Sequence, residues 1–359
     1  MADVVFIDEE TDAEMAGTRV APHDVLLNIT GASLGRCALA PEGIERANVN
    51  QHVCIIRPRA TMDSRFLHAS ICSSYVQTQI FSSENGTSRE GLNFQQVGGL
   101  RIPLPPLPEQ RAIAAFLDRE TAKIDALVAK KRRLIELLQE KRAALISRAV
   151  TKGLNPDVPM KNSGIEWLGE VPEHWETREL RYALEFLNHR RIPISGEDRA
   201  VMEKKYPYYG ASGIIDAVDN YIFDEPLILI AEDGANLLSR STPLAFVAQG
   251  KYWVNNHAHI LRPKHGPIRY WEGLLRTIEY QPWVTGSAQP KLTKENLGSV
   301  KLPIPPVEEQ VAIAGRIERD QGLLDPINET LNKAIDHLLE YRTALISAAV
   351  TGKIDVRIA

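Results

Sequence analysis

Cysteines are few in this sequence, and long apolar runs are missing. Cys37, Cys54 and Cys72 are an odd number, and no two of them form a C-x-x-C pair. This spacing predicts neither a disulfide framework nor a zinc site, and it is typical of a protein in a reducing cytoplasm. No uncharged apolar run approaches the about 20 residues that a membrane-spanning helix needs. The first residues lack the basic and apolar segments of a secretory signal, so we expect a cytoplasmic protein.

The sequence also lacks common motifs of enzymes that act on nucleotides. It has no G-x-x-x-x-G-K-[ST] loop for phosphates, no G-x-G-x-x-G turn after a predicted strand, and no Asn-Pro-Pro-Tyr tetrapeptide of the amino-methyltransferase kind. His257 and His259 would lie on one face of a strand, but we expect a hydrogen-bonded histidine there rather than a metal ligand. We therefore predict no catalytic residue, no metal and no cofactor in this chain.

The composition itself is that of an ordinary folded protein. The 359 residues are 44% hydrophobic and 25% charged, and 42 basic against 46 acidic side chains give a formal charge of −4. At about 100–200 residues per domain, this length predicts two or three domains. The balance of charge excludes a uniformly basic surface for nucleic acid, but it does not exclude local basic patches.

Two segments of the sequence occur twice, at an offset of 200 residues. Residues 104–114 (LPPLPEQRAIA) recur at 304–314 (IPPVEEQVAIA), and residues 142–151 (RAALISRAVT) recur at 342–351 (RTALISAAVT). A period of this length is too long for a solenoid. It predicts a tandem pseudo-repeat of one unit, in which a globular domain is followed by a helix.

The globular parts of the two copies match more loosely. Residues 49–58 pair with residues 254–263 at an offset of 205, which indicates loops of different length. The second copy begins with the tryptophan-rich residues 164–175, which have no counterpart in the first copy, so we expect the first copy to be incomplete at its N-terminus. The predicted divisions are a first globular domain over 1–106, a first long helix over 107–153, a second globular domain over 154–306, and a second long helix over 307–359.

Both predicted helices carry a repeating apolar pattern. No glycine or further proline interrupts the first helix between Pro108 and Val150, and Pro108 suits a first helical turn. Apolar residues step by three and four along each helix, which predicts a heptad seam. In the second helix, Asp325 and Pro326 have the pattern of an N-cap and a first helical residue, so we expect the helix to restart there. The seam residues are Ile124, Leu127, Leu134, Leu138 and Leu145 in the first helix, and Leu324, Ile327, Leu331, Leu338 and Leu345 in the second.

The two helices differ in charge. Residues 121–150 carry a net charge of +5, and residues 321–350 carry a net charge of −2. Seams of equal length and opposite charge favour antiparallel packing of one helix on the other, although each helix packing only on its own globular domain is an open alternative. Short β-type runs at 25–29, 52–56 and 227–231 make the globular parts mixed and strand-rich. The predicted fold class is α+β.

A divergent domain followed by a matching helix, with Pro-Pro-x-x-Glu-Gln at each junction, resembles the specificity subunit of type I restriction-modification enzymes. The resemblance rests on residues 102–114 and 304–314, on the two Ala-Leu-Ile-Ser helix ends, and on residues 167–175. It implies two strand-rich target recognition domains separated by two long antiparallel coiled-coil-like helices. Each recognition domain would read one half of a split DNA site, and the seam residues of the helices would also dock partner subunits.

The resemblance implies a non-catalytic chain with several partners. These are double-stranded DNA, two modification (methyltransferase) subunits, and restriction and translocase subunits, with no membrane contact. S-adenosylmethionine, ATP and Mg²⁺ are then expected on the partner subunits and not on this chain. Two alternatives are open: a nuclease or methyltransferase with an unrecognised site, and a truncated remnant or coiled-coil scaffold without sequence-specific DNA binding.

Polar side chains on loops are the ones that reach base edges and phosphates. The loop at 86–91 in the first copy and its counterpart at 286–291 in the second are the main candidates. Asn255 and Asn256 are weaker candidates, because an Asn–His pair occurs in both copies and specificity should differ between them. The predicted DNA-contacting residues are Arg36, Gln51, Thr87, Ser88 and Arg89 in the first copy, and Arg240, Asn255, Asn256, Ser287, Gln289, Lys291 and Lys294 in the second.

Overall fold

The computed structural model describes residues 5–84, 91–286 and 289–356. The chain divides into two compact units: unit 1 consists of Met1–Leu134 and Glu329–Ala359, and unit 2 consists of Ile135–Asn328. Each unit therefore combines one globular part with one portion of each long helix.

Unit 1 is built on a small antiparallel sheet covered by short helices. Its short elements are helix α1 (Glu9–Glu14), strands β1 (Val25–Asn28), β2 (Cys37–Leu39) and β3 (Val53–Ile56), and helices α2 (Ser64–Cys72), α3 (Ser74–Glu84) and α4 (Phe94–Gly98). The strand order is β2-β1-β3. Val25 and Leu27 on β1 pack against Ile71 of α2 and Ile80 of α3, which closes one apolar core. The predicted strands at 25–29 and 52–56 are confirmed.

Unit 2 contains more strands, arranged in several sheets. Its strands are β4 (Met160–Asn162), β5 (Glu170–Pro172), β6 (Glu176–Glu179), β7 (Leu184–Phe186), β8 (Tyr206–Gly210), β9 (Gly213–Val218), β10 (Phe223–Asp224), β11 (Leu227–Ala231), β12 (Ala245–Ala248), β13 (Lys251–Val254), β14 (Ala258–Pro263) and β15 (Lys301–Ile304). Its short helices are α6 (Leu180–Ala183), α7 (Gly196–Ala200), α8 (Asn236–Ser239), α9 (Ile268–Thr277) and α10 (Lys294–Ser299). The larger sheets have the orders β12-β11-β14-β7 and β10-β13-β8-β9. The predicted strand at 227–231 is confirmed as β11, whose five residues are all buried.

The same three-stranded arrangement occurs in both units. The central strand β1 pairs antiparallel with β2 and β3, and β11 pairs antiparallel with β12 and β14 in the corresponding way. Helix α2 follows β3 as α9 follows β14, and α4 corresponds to α10. The repeat read from the sequence is therefore a repeat of fold, with the sheet β10-β13-β8-β9 added in unit 2.

Two long helices run through both units: α5 (Leu107–Lys152) and α11 (Val307–Val350). The restart expected at Asp325–Pro326 is wrong, because α11 continues without interruption and Pro326 lies inside it. A proline within a helix removes one backbone hydrogen bond. Since most helical stability in proteins comes from tertiary packing, the packing of α11 on both sides of Pro326 outweighs that loss.

The two long helices run antiparallel within each unit. In unit 1, Ile113 and Leu117 near the start of α5 share a buried cluster with Ile346 and Val350 near the end of α11. Further along the same pair, Arg342 of α11 donates to Asp125 of α5 at 2.9 Å. Along this pair, the residue numbers of the contacting α11 residues decrease as those of the α5 residues increase, as antiparallel packing requires.

Unit 2 repeats this contact with the roles of the helices exchanged. Ala149 and Val150 near the end of α5 share a cluster with Ile313 and Ile317 near the start of α11. Arg142 donates to Asp325 at 2.9 Å. The basic and acidic partners thus alternate between the helices, so reciprocal ion pairs and apolar packing join them.

The heptad seam needs a correction at three of its ten named positions. Leu127, Leu134 and Ile327 are 44%, 43% and 45% exposed, whereas Val128 and Ile335 are 5% and 6% exposed. The buried stripe therefore advances by four and then three residues from Ile124 and from Leu324. Both Leu127 and Val128 are apolar, which is why the sequence pattern alone does not separate the two stripes.

The Pro-Pro-x-x-Glu-Gln signature has a structural role at each helix start. The amide of Gln110 donates to the carbonyl of Pro105 at 2.8 Å, and Gln310 donates to Pro305 at 2.9 Å. Both glutamines are buried. Each one folds back on the proline segment and fixes the angle at which the chain enters its long helix.

No helix in the described ranges is both long and apolar enough to span a bilayer.

Candidate nucleic-acid interface

Three loops of unit 2 converge at one end of the central strand β11. The backbone N–H of Leu292 donates to Glu232 at 2.8 Å, and that of Gly234 donates to Pro290 at 3.1 Å. The Nδ1 atom of His257 lies 2.9 Å from Asp233. We call this surface, made of residues 232–235, 255–257, 285–286 and 289–291, loop surface 2.

Unit 1 builds a matching surface at the end of β1. The backbone N–H of Leu92 donates to Ile29 at 2.8 Å, and the hydroxyl of Thr30 lies 2.6 Å from Nδ1 of His52. Both turns are also closed in the same way: Asn50 accepts from the N–H of His52 at 3.0 Å, as Asn255 accepts from His257 at 2.8 Å. We call residues 29–31, 50–52 and 91 loop surface 1.

A half-buried carboxylate, that of Glu232, organises the charges of loop surface 2. Glu232 forms ion pairs with Arg191 and, at 3.5 Å, with Lys291. Burial raises the pKa of Glu232, but the hydrogen bond from Arg191 and the charges of His259, Arg191 and Lys291 outweigh burial and hold that pKa below its ordinary value. The carboxylate therefore stays ionised and fixes two cations beside the loops.

Arg191 is a positioning residue that the sequence did not reveal. Besides its ion pair with Glu232, its guanidinium donates to the carbonyls of Asn256 and Ala258 at 3.1 and 3.0 Å. It therefore holds the β13–β14 turn against the loop after β11. Glu232, Asn256 and Ala258 all lie more than 40 positions from Arg191 in the sequence, so no local motif identifies it.

The structure brings together three of the residues predicted to contact DNA in the second copy. Asn256, Gln289 and Lys291 are all exposed on loop surface 2. Asn255, in contrast, is only 5% exposed and closes the turn with its side chain. We therefore assign Asn255 to turn structure.

The remaining predicted DNA-contacting residues of unit 2 lie outside loop surface 2. Arg240, in a left-handed backbone conformation, forms an ion pair with Glu279 and donates to the carbonyl of Arg276 at 3.2 Å. Lys294, at the start of α10, places its ammonium 5.7 Å from the ring centre of Phe186. Ser287 lies outside the described residues.

In unit 1, the described candidates are Arg36 and Gln51, and both are exposed. Gln51 stands in the turn of loop surface 1, and Arg36 lies in the β1–β2 connection, where its carbonyl accepts from the N–H of Asn28 at 2.8 Å. Thr87, Ser88 and Arg89 lie outside the described residues.

His257, just before β14, and His259, within it, both form hydrogen bonds, as the sequence led us to expect. His259 is fully buried, with Nε2 2.7 Å from the carbonyl of Leu292 and Nδ1 2.8 Å from the amide of Asn188. Burial lowers the pKa of His259 and keeps the ring neutral. With one hydrogen bond at each ring nitrogen, the neutral His259 fixes the loop before Leu292 to the sheet.

Two surfaces with one backbone plan and different side chains define a class of protein: a duplicated recognition module carried on paired long helices. The match to known families agrees with this class. The family described as the type I restriction modification DNA specificity domain matches residues 15–137 and 172–337. The chain belongs to this family.

Individual relatives cover nearly the whole chain. The type I restriction enzyme MjaVIII specificity subunit of Methanocaldococcus jannaschii is 24% identical over 374 residues, covering 94% of this chain and 80% of the relative. The type I restriction enzyme EcoKI specificity subunit of Escherichia coli K12 is 22% identical, covering 98% of this chain and 79% of the relative.

A solved structure shares the fold. It is described as the structural basis underlying complex assembly and conformational transition of the type I R-M system. Its matching chain has a TM-score of 0.61 at 19% identity, covering 92% of this chain and 82% of that chain.

Proposed function

We propose that this chain is the DNA specificity subunit of a type I restriction-modification complex and that its two loop surfaces read the two halves of a split DNA site. The observation that carries the proposal is the construction of one loop arrangement twice with different polar side chains. A reader of an asymmetric site needs this combination, because the scaffold is shared while the base-contacting groups differ.

The chemistry of the exposed groups supports DNA readout. Gln289 and Asn256 carry amides that can bond base edges in the major groove, and Arg36 carries a guanidinium suited to guanine. Lys291 supplies a cation for a phosphate, which positions the protein without reading sequence. With a net charge of −4, the chain depends on such local groups for DNA affinity.

Under this proposal the chain binds DNA and performs no reaction on it. Two modification subunits carry S-adenosylmethionine, and restriction and translocase subunits carry ATP and Mg²⁺. The exposed apolar residues of the long helices, among them Leu127, Leu134 and Ile327, supply surface for docking these partners. A protein that works on DNA in such a complex belongs in the cytoplasm.

The test is selection of binding sites from a random duplex pool, with the chain co-purified with its modification subunit at one fixed salt concentration. Salt must be fixed because phosphate contacts make affinity steeply salt-dependent. We expect an enriched motif in two parts with a constant gap. Enrichment of no motif by a stable complex would contradict the proposal and favour a scaffold or an inactive remnant.

A further inference from the structure

Two thiols and an imidazole gather in unit 1, outside the residues that form loop surface 1. Cys37 lies on β2, while His68 and Cys72 lie one turn apart on α2, the helix that packs on that strand. The two sulfur atoms and one ring nitrogen all lie within 4.8 Å of one another. We propose that Cys37, His68 and Cys72 form a binding site for one Zn²⁺ ion.

The distance between the His68 and Cys72 ligand atoms fits tetrahedral zinc. Nε2 of His68 lies 3.6 Å from Sγ of Cys72. With Zn–S near 2.3 Å and Zn–N near 2.0–2.1 Å, a tetrahedral site has an S···N edge of about 3.6 Å. The spacing of four residues on α2 directs both side chains to the same face, towards Cys37. Two thiolates and one imidazole are also the ligand types that Zn²⁺ prefers.

The fourth coordination position opens into a cavity of about 310 Å³ within unit 1. Besides the three ligands, Arg65, Asp118, Thr121 and Arg342 line this cavity. Three protein ligands then leave room for one water on the metal. Arg342 would oppose a cation, but its guanidinium is paired with Asp125 at 2.9 Å, and two thiolates balance the charge of Zn²⁺.

The two thiols of the cluster differ in pKa. The hydrogen bond with Cys72, followed by burial, raises the pKa of Cys37. The hydrogen bond from Cys37 is the largest cause that lowers the pKa of Cys72; burial opposes it, and His68 and Arg342 add to the lowering. Thiolate is the form of cysteine that binds metals. Binding of Zn²⁺ would therefore release thiol protons, as metal binding to cysteine requires.

Unit 2 has different residues at the corresponding positions. The fifth and ninth residues of α2 are His68 and Cys72, and those of α9 are Glu272 and Arg276, whose side chains form an ion pair at 3.8 Å. The fold therefore does not require a Cys-His-Cys cluster at this place. In unit 1, the metal would connect α2 to β2, whereas in unit 2 Glu272 pairs with Arg269 and Arg276 of its own helix.

The experiment is a metal titration of the full-length chain, reduced and stripped of metal. We expect one equivalent of Zn²⁺ to bind in competition with a chromophoric chelator. We also expect Co²⁺ in its place to give thiolate-to-metal charge-transfer absorption with tetrahedral d–d bands. The absence of these bands in the reduced wild-type chain would overturn the proposal, whatever the variants do.

The variants have a matched control, because the third cysteine lies apart from the cluster. Cys37→Ser and Cys72→Ser should each weaken Zn²⁺ binding at least about 100-fold. Cys54→Ser, in the same sheet, should bind Zn²⁺ as the wild type does. Zn²⁺ should raise the Tm of the wild type and of Cys54→Ser only. Unchanged Zn²⁺ affinity in both cluster variants, or a Cys37–Cys72 disulfide that persists in reductant, would contradict the assignment.

Discussion

At the scale of single residues, Gln110 and Gln310 occupy the same place in the repeat but form different numbers of hydrogen bonds. Gln110 also donates to Thr61 and accepts from the N–H of Asp63, at 3.1 and 2.8 Å. The Oε1 atom of Gln310 has no partner among the described residues. The first glutamine therefore connects its helix start to the globular part, and the second fixes only the proline segment.

We expect Gln110→Ala to lower the free energy of unfolding by about 3 kcal/mol and Gln310→Ala by about 1 kcal/mol, at about 1 kcal/mol for each lost hydrogen bond. Urea unfolding followed by circular dichroism measures both. Gln139→Ala, at an exposed glutamine of α5, is the control and should change little. Equal losses at the two positions would show that the extra bonds of Gln110 contribute nothing.

Asp24 makes the stability of unit 1 depend on pH. Its buried carboxylate accepts from Arg57 at 2.8 and 2.7 Å, and this hydrogen bond is the largest cause that holds the pKa of Asp24 below its ordinary value, against burial. The stabilisation is fully present above the unfolded pKa of about 3.9 and is lost as the pH falls through the lower folded pKa.

We therefore expect Asp24→Asn to unfold more easily at pH 7 and to lose less stability than the wild type between pH 5 and pH 2. Thermal unfolding over that pH range checks this expectation. Glu45→Gln, at an exposed carboxylate, serves as the control. If Asp24→Asn and Glu45→Gln have the same pH profile, the ion pair with Arg57 is not the source of the pH dependence.

Part of the candidate DNA-binding site could be predicted from the types of single residues. Exposed polar residues on glycine-rich loops pointed to Gln289 and Lys291, because loop position and residue type are visible in a sequence. Arg191 and Glu232 were missed as a pair, since a positioning contact across three loops has no local pattern. Asn255 was offered as a DNA contact because its residue type fits, but burial gives it a turn role.

At the scale of elements, the strands at 25–29, 52–56 and 227–231 and both long helices followed from the sequence, whereas the buried stripe of the helices did not. A helical apolar pattern gives a period near 3.6 residues, and adjacent apolar residues fit two stripes equally well. Only the partner helix decides which of them is covered. The sequence also did not predict that α11 continues through Pro326. The local pattern of Asp325 and Pro326 indicates a helix start, but packing of the helix on its neighbours decides the outcome.

Two isoleucines of α11 test the corrected stripe. Ile335 is 6% exposed and Ile327 is 45% exposed. We expect Ile335→Ala to cost about 2–5 kcal/mol, as for a buried isoleucine, and Ile327→Ala to cost under about 1 kcal/mol. Chemical unfolding of both variants measures the difference. A larger loss of unfolding free energy for Ile327→Ala than for Ile335→Ala would support the heptad seam predicted from the sequence and contradict the corrected stripe.

Replacing Pro326 should stabilise the chain. An interior proline costs a helix about 3 kcal/mol relative to alanine, so Pro326→Ala should raise stability by up to about that amount. The tryptophans all lie in unit 2, where Pro326 also lies, so tryptophan fluorescence during thermal unfolding is a suitable measure. A lower Tm for Pro326→Ala would mean that the packing of α11 needs the backbone geometry that proline imposes.

At the scale of the whole molecule, duplication explains why two units share a scaffold. The offset of 200 predicted the repeated helices, and the structure shows that each unit uses the start of one helix and the end of the other. The extra sheet of unit 2, which includes strand β8 (Tyr206–Gly210), was not predicted. Aromatic strands buried inside an insertion have no counterpart in the other copy with which to align them.

The measurement that tests the central claim most directly is site selection with Gln289→Ala/Lys291→Ala beside the wild type, each with the modification subunit at the same salt. The two substitutions change loop surface 2 and leave loop surface 1 intact. We predict that one half of the selected motif loses information, while the other half and the gap stay the same. An unchanged motif, or the loss of both halves together, would contradict the assignment of one half-site to each loop surface.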